Sequence, residues 1–182
     1  MVAFVVVPGV GGSEESHWQT RWEQEWGADA VRIEPQSWDA PDHDDWVDAV
    51  DRAVRSLEVA HGEVVVIGHS LGCWAATQWL AGASGSPVRG MMLVAPPDPA
   101  GAAFAAAAGP TFAQVRARPL DCPSVVVAST NDPYCSVEEA EHLAAGWGSE
   151  LRVVGARGHI NASSGLGAWR EGREILELLL RG

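Results

Sequence analysis

The chain has 182 residues, of which 47% are hydrophobic and 20% are charged, so one core can bury about 70% of the surface of the unfolded chain. The net charge is −12 and the 12 basic residues, all arginines, are spread thinly. This pattern excludes the basic clusters with which proteins hold nucleic acids or anionic membranes, and nothing indicates a protein partner. We therefore expect a single domain over residues 1–182.

The amino-terminal residues 1–7 lack the basic region and the cleavage site of a signal peptide, and their apolar run is too short to span a bilayer. This predicts a cytoplasmic location. Cys73, Cys122 and Cys135 are odd in number and match no zinc-binding spacing, so we expect reduced thiols.

The first half of the chain is predicted to alternate strands with helices. An apolar run over residues 3–7, ended by Pro8 and Gly9, indicates a strand buried on both faces. A helix is expected over residues 16–26, with Ser13 or Ser16 as its cap. The other elements expected here are a strand at 31–34, a helix at 44–60, a strand at 64–67 and a helix at 73–81.

The second half continues the same alternation. A strand at 88–95 ends at two prolines, and the alanine-rich stretch 100–117 predicts one or two short helices. Such alternation is typical of an α/β protein, with a parallel sheet that binds ligands at the carboxyl ends of its strands. The remaining elements expected are a strand at 124–128, a helix at 137–147, a strand at 151–154 and a helix at 169–180.

Residues 68–72 carry the pattern G-x-S-x-G between a run of β-branched residues and a helix. A turn in this position must be sharp, and it exposes the Ser70 hydroxyl beside the unpaired N–H groups that begin the helix. The pattern favours Ser70 as a nucleophile. The alternative is an ordinary Gly-Ser turn that joins a strand to a helix.

A nucleophilic serine needs a base and a carboxylate that orients the base, and in enzymes with this turn the order along the chain is serine, acid, histidine. Two histidines follow Ser70. His142 falls within a predicted helix and His159 in the loop after the sixth strand, so His159 is the favoured base. Asp132, just after the fifth strand, is the favoured acid, and Asp98, after the fourth strand, is the alternative.

Backbone N–H groups are expected to stabilise the oxyanion of such a reaction. One belongs to Leu71, the residue after the nucleophile. The second is expected from the glycine-rich loop 9–12, with Val10 as the first choice and Gly11 as the next. This loop matches neither the phosphate-binding nor the dinucleotide-binding pattern, so no nucleotide cofactor is expected.

Four short motifs occur in one order along the chain. They are VPGVGG at 7–12 with His17-Trp18, GHSLG at 68–72, NDP at 131–133 and GHIN at 158–161. Together they resemble the small α/β-hydrolases of the family that includes retinoblastoma-binding protein 9, over essentially the whole chain. Many α/β-hydrolases begin the first loop with His-Gly, whereas this chain has Pro-Gly.

The resemblance implies a three-layer αβα sandwich with about six parallel strands in the order 2-1-3-4-5-6. Residues 96–122, where many such enzymes carry a lid, are too few for a large cap domain. The resemblance also implies a triad of Ser70, Asp132 and His159 that works without a cofactor. We therefore expect a serine hydrolase that cleaves a small carboxylic ester, thioester or amide through an acyl-enzyme. The competing hypotheses are a binding protein on a hydrolase scaffold and an acyltransferase with an acceptor other than water.

Several aromatic and acidic residues near the expected site allow a second interpretation. His17 and the rings of Trp18, Trp38 and Trp74 are candidates for substrate contacts, although a stripe at 18, 22 and 26 is also what a helix uses to pack on a sheet. The acidic residues around His43 resemble a metal site, but carboxylates at a helix start are better explained by the helix dipole. No metal is expected.

Overall fold

Six parallel strands form one sheet with helices on both faces in the computed structural model, which describes residues 2–83 and 88–181. The strands lie in the order β2-β1-β3-β4-β5-β6, which confirms the predicted order. The strands are β1 (Ala3–Val7), β2 (Ala30–Arg32), β3 (Val64–His69), β4 (Val88–Val94), β5 (Ser124–Ala128) and β6 (Glu150–Val153). The helices are α1 (Trp18–Trp26), α2 (His43–His61), α3 (Leu71–Gly82), α4 (Ala102–Ala108), α5 (Val137–Trp147) and α6 (Arg170–Arg181).

The start of α1 differs from the expectation. His17, and neither Ser13 nor Ser16, caps this helix, because the Gln19 N–H donates to His17 Nδ1 over 3.1 Å. The Ser13 hydroxyl donates instead to the side chain of Gln19, 2.7 Å away. A ring nitrogen thus satisfies one of the donors that a helix start leaves unpaired.

The alanine-rich stretch forms α4 and one 3-10 turn, Pro110–Phe112, between β4 and β5. The predicted absence of a large cap domain is therefore confirmed. None of the helices within the described ranges has the length and hydropathy needed to cross a membrane.

The two faces of the sheet are covered by separate hydrophobic clusters. One cluster packs α2, α3 and α5 on one face, and the other packs α1 and α6 on the opposite face. On the α1 face Trp18 and Trp22 are buried and contact the Trp169 ring, with centroids 4.9 and 5.8 Å apart. The stripe of tryptophans on α1 therefore packs that helix on the sheet.

The turn between β3 and α3 depends on a close contact between backbones. A Cβ atom on Gly72 would lie 2.2 Å from the carbonyl oxygen of Val7 and 2.4 Å from that of Pro8. Only a residue without a side chain lets the first turn of α3 approach the end of β1 this closely. The helix α3 begins at Leu71, two residues before the predicted start.

We predict that Gly72→Ala lowers the free energy of unfolding by about 3 kcal/mol or more, because backbone atoms cannot move aside for the new methyl group. Gly82→Ala is the matched control, since it changes the other end of α3, where a Cβ atom would meet nothing within 4 Å. That variant should keep its stability or gain up to about 1 kcal/mol. Urea unfolding measures the free energy of unfolding of both variants. Equal values would show that the close contact at Gly72 is not needed for stability.

Candidate active site

Ser70 lies directly after β3 with φ 53° and ψ −128°, a backbone conformation that residues other than glycine rarely adopt. It occupies the cap position of α3, but its side chain makes no capping hydrogen bond. The hydroxyl is therefore free to face the carboxyl ends of the strands. Gly9 packs against it, since a Cβ atom there would lie 2.7 Å from Ser70 Cβ.

Ser70, His159 and Asp132 form one continuous chain of hydrogen bonds. Ser70 Oγ lies 2.8 Å from His159 Nε2, and His159 Nδ1 lies 2.9 and 3.1 Å from the two carboxylate oxygens of Asp132. The carboxylate is only 2% exposed. Because a carboxylate accepts the Nδ1 proton, Nε2 is left unprotonated and can accept the proton of the serine hydroxyl.

Asp98, the alternative acid, has another role in the structure. Its carboxylate accepts the N–H of Ala100 over 2.8 Å and so closes the turn after β4. Asp132, rather than Asp98, is the carboxylate hydrogen-bonded to His159.

The backbone donors near Ser70 differ in whether their N–H groups are free. Leu71 is the first residue of α3, so its N–H has no acceptor within the helix. The N–H of Val10 has no acceptor among the described residues, whereas that of Gly11 donates to the Trp38 carbonyl over 3.1 Å. The expectation that Gly11 serves as an alternative donor is therefore wrong.

Hydrogen bonds from neighbouring elements hold the loop that carries His159. His69 Nε2 donates to the His159 carbonyl over 3.0 Å, and the N–H of Gly158 donates to Asn131 Oδ1 over 2.7 Å. Asn131 precedes the carboxylate residue, so the loops after β5 and β6 are joined directly. Trp18 Nε1 donates to the carbonyl that follows His159, that of Ile160, over 2.8 Å.

A cavity of about 450 Å³ lies in front of Ser70 and His159. Phe104, Ala107 and Ala108 of α4 line one part of it, together with Tyr134. The Tyr134 ring also contacts the His159 ring edge-on, with centroids 4.5 Å apart.

The tryptophans proposed as substrate contacts do not line this cavity. Trp18 is 1% exposed and Trp74 is fully buried. Trp18 holds the His159 loop, and Trp74 donates its Nε1–H to the Pro97 carbonyl over 2.9 Å. The assignment of these rings to substrate is therefore wrong. The Trp38 ring packs beside Gly12 instead.

Several cavity residues were not predicted from the sequence. Tyr134 follows Asp132 by two positions, so its place in the loop of the predicted acid was a signal that could have found it. The α4 residues carry no such signal, because alanines and a lone phenylalanine predict only a helix.

Two further histidines near the site are held in the neutral state. Burial lowers the pKa of His17 to about 4, with smaller effects of Arg32 and His159. Burial also lowers the pKa of His69 well below its ordinary value, and the neighbouring His159 and His17 add to this shift.

Acidic residues around His43 accept hydrogen bonds from nearby backbone N–H groups. Asp42 caps α2 by accepting the N–H of Asp45, 3.1 Å away, and Asp45 accepts the N–H of Gln36 over 2.8 Å. Within residues 2–83 and 88–181 no group of three or more histidine, cysteine or acidic residues is arranged to hold a metal ion.

The strand order and the residues at the carboxyl ends of the strands define an α/β-hydrolase. A protein-family model described as "Serine hydrolase" matches residues 4–178, and the chain therefore belongs to the serine hydrolase family.

Solved structures agree with this assignment. The chain is 37% identical to a YdeN-like hydrolase of Pectobacterium atrosepticum, with a TM-score of 0.83 over 98% of this chain and 92% of that one. The ydeN product of B. subtilis is 20% identical, with a TM-score of 0.78 over 100% and 99% of the two chains. Est1E of Butyrivibrio proteoclasticus, solved with ferulic acid bound, is 11% identical, with a TM-score of 0.70 over 100% and 87%. A search of curated proteins finds no match.

We predict that His17 makes the protein less stable in acid. The unfolded chain takes up a proton at His17 near pH 6.5, whereas the folded chain does so only near pH 4, so stability falls as the pH drops through this window. His17→Asn should lose about 2–3 kcal/mol less than the wild type between pH 7 and pH 4.5, because asparagine also caps a helix but does not titrate.

Urea unfolding at several pH values measures this difference. His142→Asn is the control, since His142 is a histidine on α5 whose side chain is 79% exposed. It should follow the wild-type pH dependence. If His17→Asn also follows the wild-type pH dependence, protonation of His17 does not contribute to the loss of stability in acid.

Proposed function

We propose that this serine hydrolase cleaves a carboxylic ester, thioester or amide through an acyl-enzyme on Ser70. The observation that carries the proposal is the unbroken hydrogen-bond chain from the Ser70 hydroxyl through His159 to the buried carboxylate of Asp132. A strained serine at the start of a helix, in contact with an oriented histidine, is the arrangement that activates a hydroxyl for attack.

The first half of the reaction transfers the acyl group to the enzyme. As Ser70 Oγ attacks the carbonyl carbon, its proton passes to His159 Nε2, and Asp132 stabilises the imidazolium that forms. The tetrahedral intermediate then collapses, and His159 gives the proton to the leaving oxygen, sulfur or nitrogen. The result is an ester of Ser70 and a released alcohol, thiol or amine.

The second half regenerates the enzyme. His159 takes a proton from a water molecule as the water oxygen attacks the acyl carbon, and it returns the proton to Ser70 Oγ as the acid leaves. The N–H groups of Leu71 and Val10 are proposed to hold the oxyanion in both halves. That neither N–H has an acceptor among the residues the structure describes supports this role.

The cavity supports a small or flexible acyl substrate. Its volume of about 450 Å³ falls in the lower part of the range for small-molecule sites, and the short helix α4 lines one part of it. The ferulic acid bound to Est1E is consistent with carboxylic acid derivatives as ligands of this fold. The narrower likeness to the family that includes retinoblastoma-binding protein 9, the absence of a cofactor and the cytoplasmic location stay predictions from the sequence.

We predict that a fluorophosphonate probe labels Ser70. Wild-type protein should be labelled covalently, because an activated serine oxygen displaces fluoride from the probe and forms a phosphonate ester, and Ser70→Ala should not be labelled at all. Ser163→Ala is the matched control, since Ser163 is also a serine that lines the cavity but has no contact with His159 in the described structure. It should label like the wild type. Folded wild-type protein that resists the probe would favour the alternative of a binding protein on a hydrolase scaffold.

We also predict that Asp132→Asn lowers kcat by about 10³- to 10⁴-fold on any ester that the wild type hydrolyses, because an amide favours the wrong tautomer of His159. Asp98→Asn should leave kcat within about threefold, since Asp98 has no bond to His159. Steady-state kinetics of the two variants provide the measurement. Loss of activity in Asp98→Asn with retention in Asp132→Asn would reverse the assignment of the acid.

A further inference from the structure

The cavity in front of Ser70 has walls of different chemistry. The α4 side is apolar, as described above. Another part of the lining comes from the loop before α1 and the loop after His159, which the hydrogen bond of Trp18 to Ile160 brings together. This polar wall consists of Ser13, Glu14, His17, Asn161 and Ser163.

His17 has one ring nitrogen in use and one without a partner. Nδ1 accepts the N–H of Gln19, so the ring proton is on Nε2. In the part of the chain that the structure describes, Nε2 is buried and has no hydrogen-bond partner, although the residue lines the cavity. The two other buried side-chain nitrogens in this condition belong to Trp147 and Trp169, which do not line the cavity.

A buried N–H without an acceptor costs free energy, so such a group at a binding site calls for an acceptor that arrives with the ligand. The position of His17 at the start of α1 fixes which of its ring nitrogens carries the proton. The helix N–H fixes the tautomer, and together with burial it keeps the ring neutral, because a second proton would have to occupy Nδ1. His17 therefore offers one oriented donor and carries no charge.

We propose that His17 donates its Nε2–H to an uncharged oxygen of the substrate that lies outside the bond to be cleaved. This inference rests on the proposed hydrolase function and narrows its substrate class. The preferred substrates combine a hydrocarbon part, held against α4, with a carbonyl, ether or hydroxyl oxygen held by His17. A carboxylate or phosphate is disfavoured, because the described lining holds no arginine and includes the carboxylate of Glu14.

Substrate pairs that differ by one atom test the proposal. On the acyl side, 4-nitrophenyl methoxyacetate is compared with 4-nitrophenyl butyrate, which replaces the ether oxygen by a methylene group. On the leaving-group side, 2-methoxyethyl butyrate is compared with butyl butyrate. The ratio of kcat/KM within a pair, compared between wild type and variant, cancels the intrinsic reactivity of each ester.

Two variants of His17 separate its cap from its donor. Asparagine reproduces the capping atom but is too short to present a donor at the Nε2 position. Glutamine reaches the Nε2 position with its amide N–H but is a poor cap. In one of the two pairs, His17→Asn should lower the wild-type preference for the ether by about tenfold, whereas His17→Gln should keep it within about threefold. Urea unfolding should show the reverse order, with His17→Asn the more stable variant at pH 7.

Equal losses on the ether and methylene members of both pairs would overturn the proposal and leave His17 as a structural cap that packs edge-on against His69, 4.7 Å away. The same pairs titrated into Ser70→Ala protein, with and without His17→Asn, measure the preference as a ratio of Kd values without turnover. If the wild type hydrolyses none of the esters, the proposed hydrolysis of esters fails, and these Kd ratios alone decide whether His17 binds the oxygen.

Discussion

The site depends on how closely two backbones approach each other at the start of α3. Gly72 lets the first turn of that helix contact the end of β1, and Gly9 lets the following loop contact Ser70. Leu71 follows Ser70 and Val10 follows Gly9 along the chain, so these two contacts keep the N–H groups of both residues close to the serine. A methyl group at either glycine would separate the two donors that the proposed reaction needs together.

The centre of the sheet was predictable because β1, β3 and β5 are mostly apolar runs, and parallel strands buried on both faces have this pattern. The residues at which helices begin were harder to predict. The sequence pattern did not indicate where α3 begins. Leu71 and Gly72 belong to the helix because the turn at Ser70 is sharp. Likewise, a histidine cap on α1 depends on ring burial that local sequence does not reveal.

The order of serine, acid and histidine along the chain predicted three side chains in loops at one edge of the sheet, and the structure joins them by hydrogen bonds. The predictions that were wrong concern groups whose hydrogen bonds or burial depend on residues far away in the chain. The N–H of Gly11 is occupied by the carbonyl of Trp38, far along the chain. Trp74 is near Ser70 in sequence, but its position on α3 directs it into the core. Such outcomes depend on tertiary packing, which spacing alone does not encode.

The position of α4 has a consequence for how relatives of this protein diverge. This short helix lines the apolar wall of the cavity and lies outside the sheet. Its residue Ala107 lines the cavity and is exposed. A larger side chain there would reduce the space in the cavity without disturbing the sheet or the hydrogen bonds among Ser70, His159 and Asp132. Single substitutions on α4 could therefore change the range of molecules that the cavity accepts, while the fold and the proposed chemistry at Ser70 stay the same.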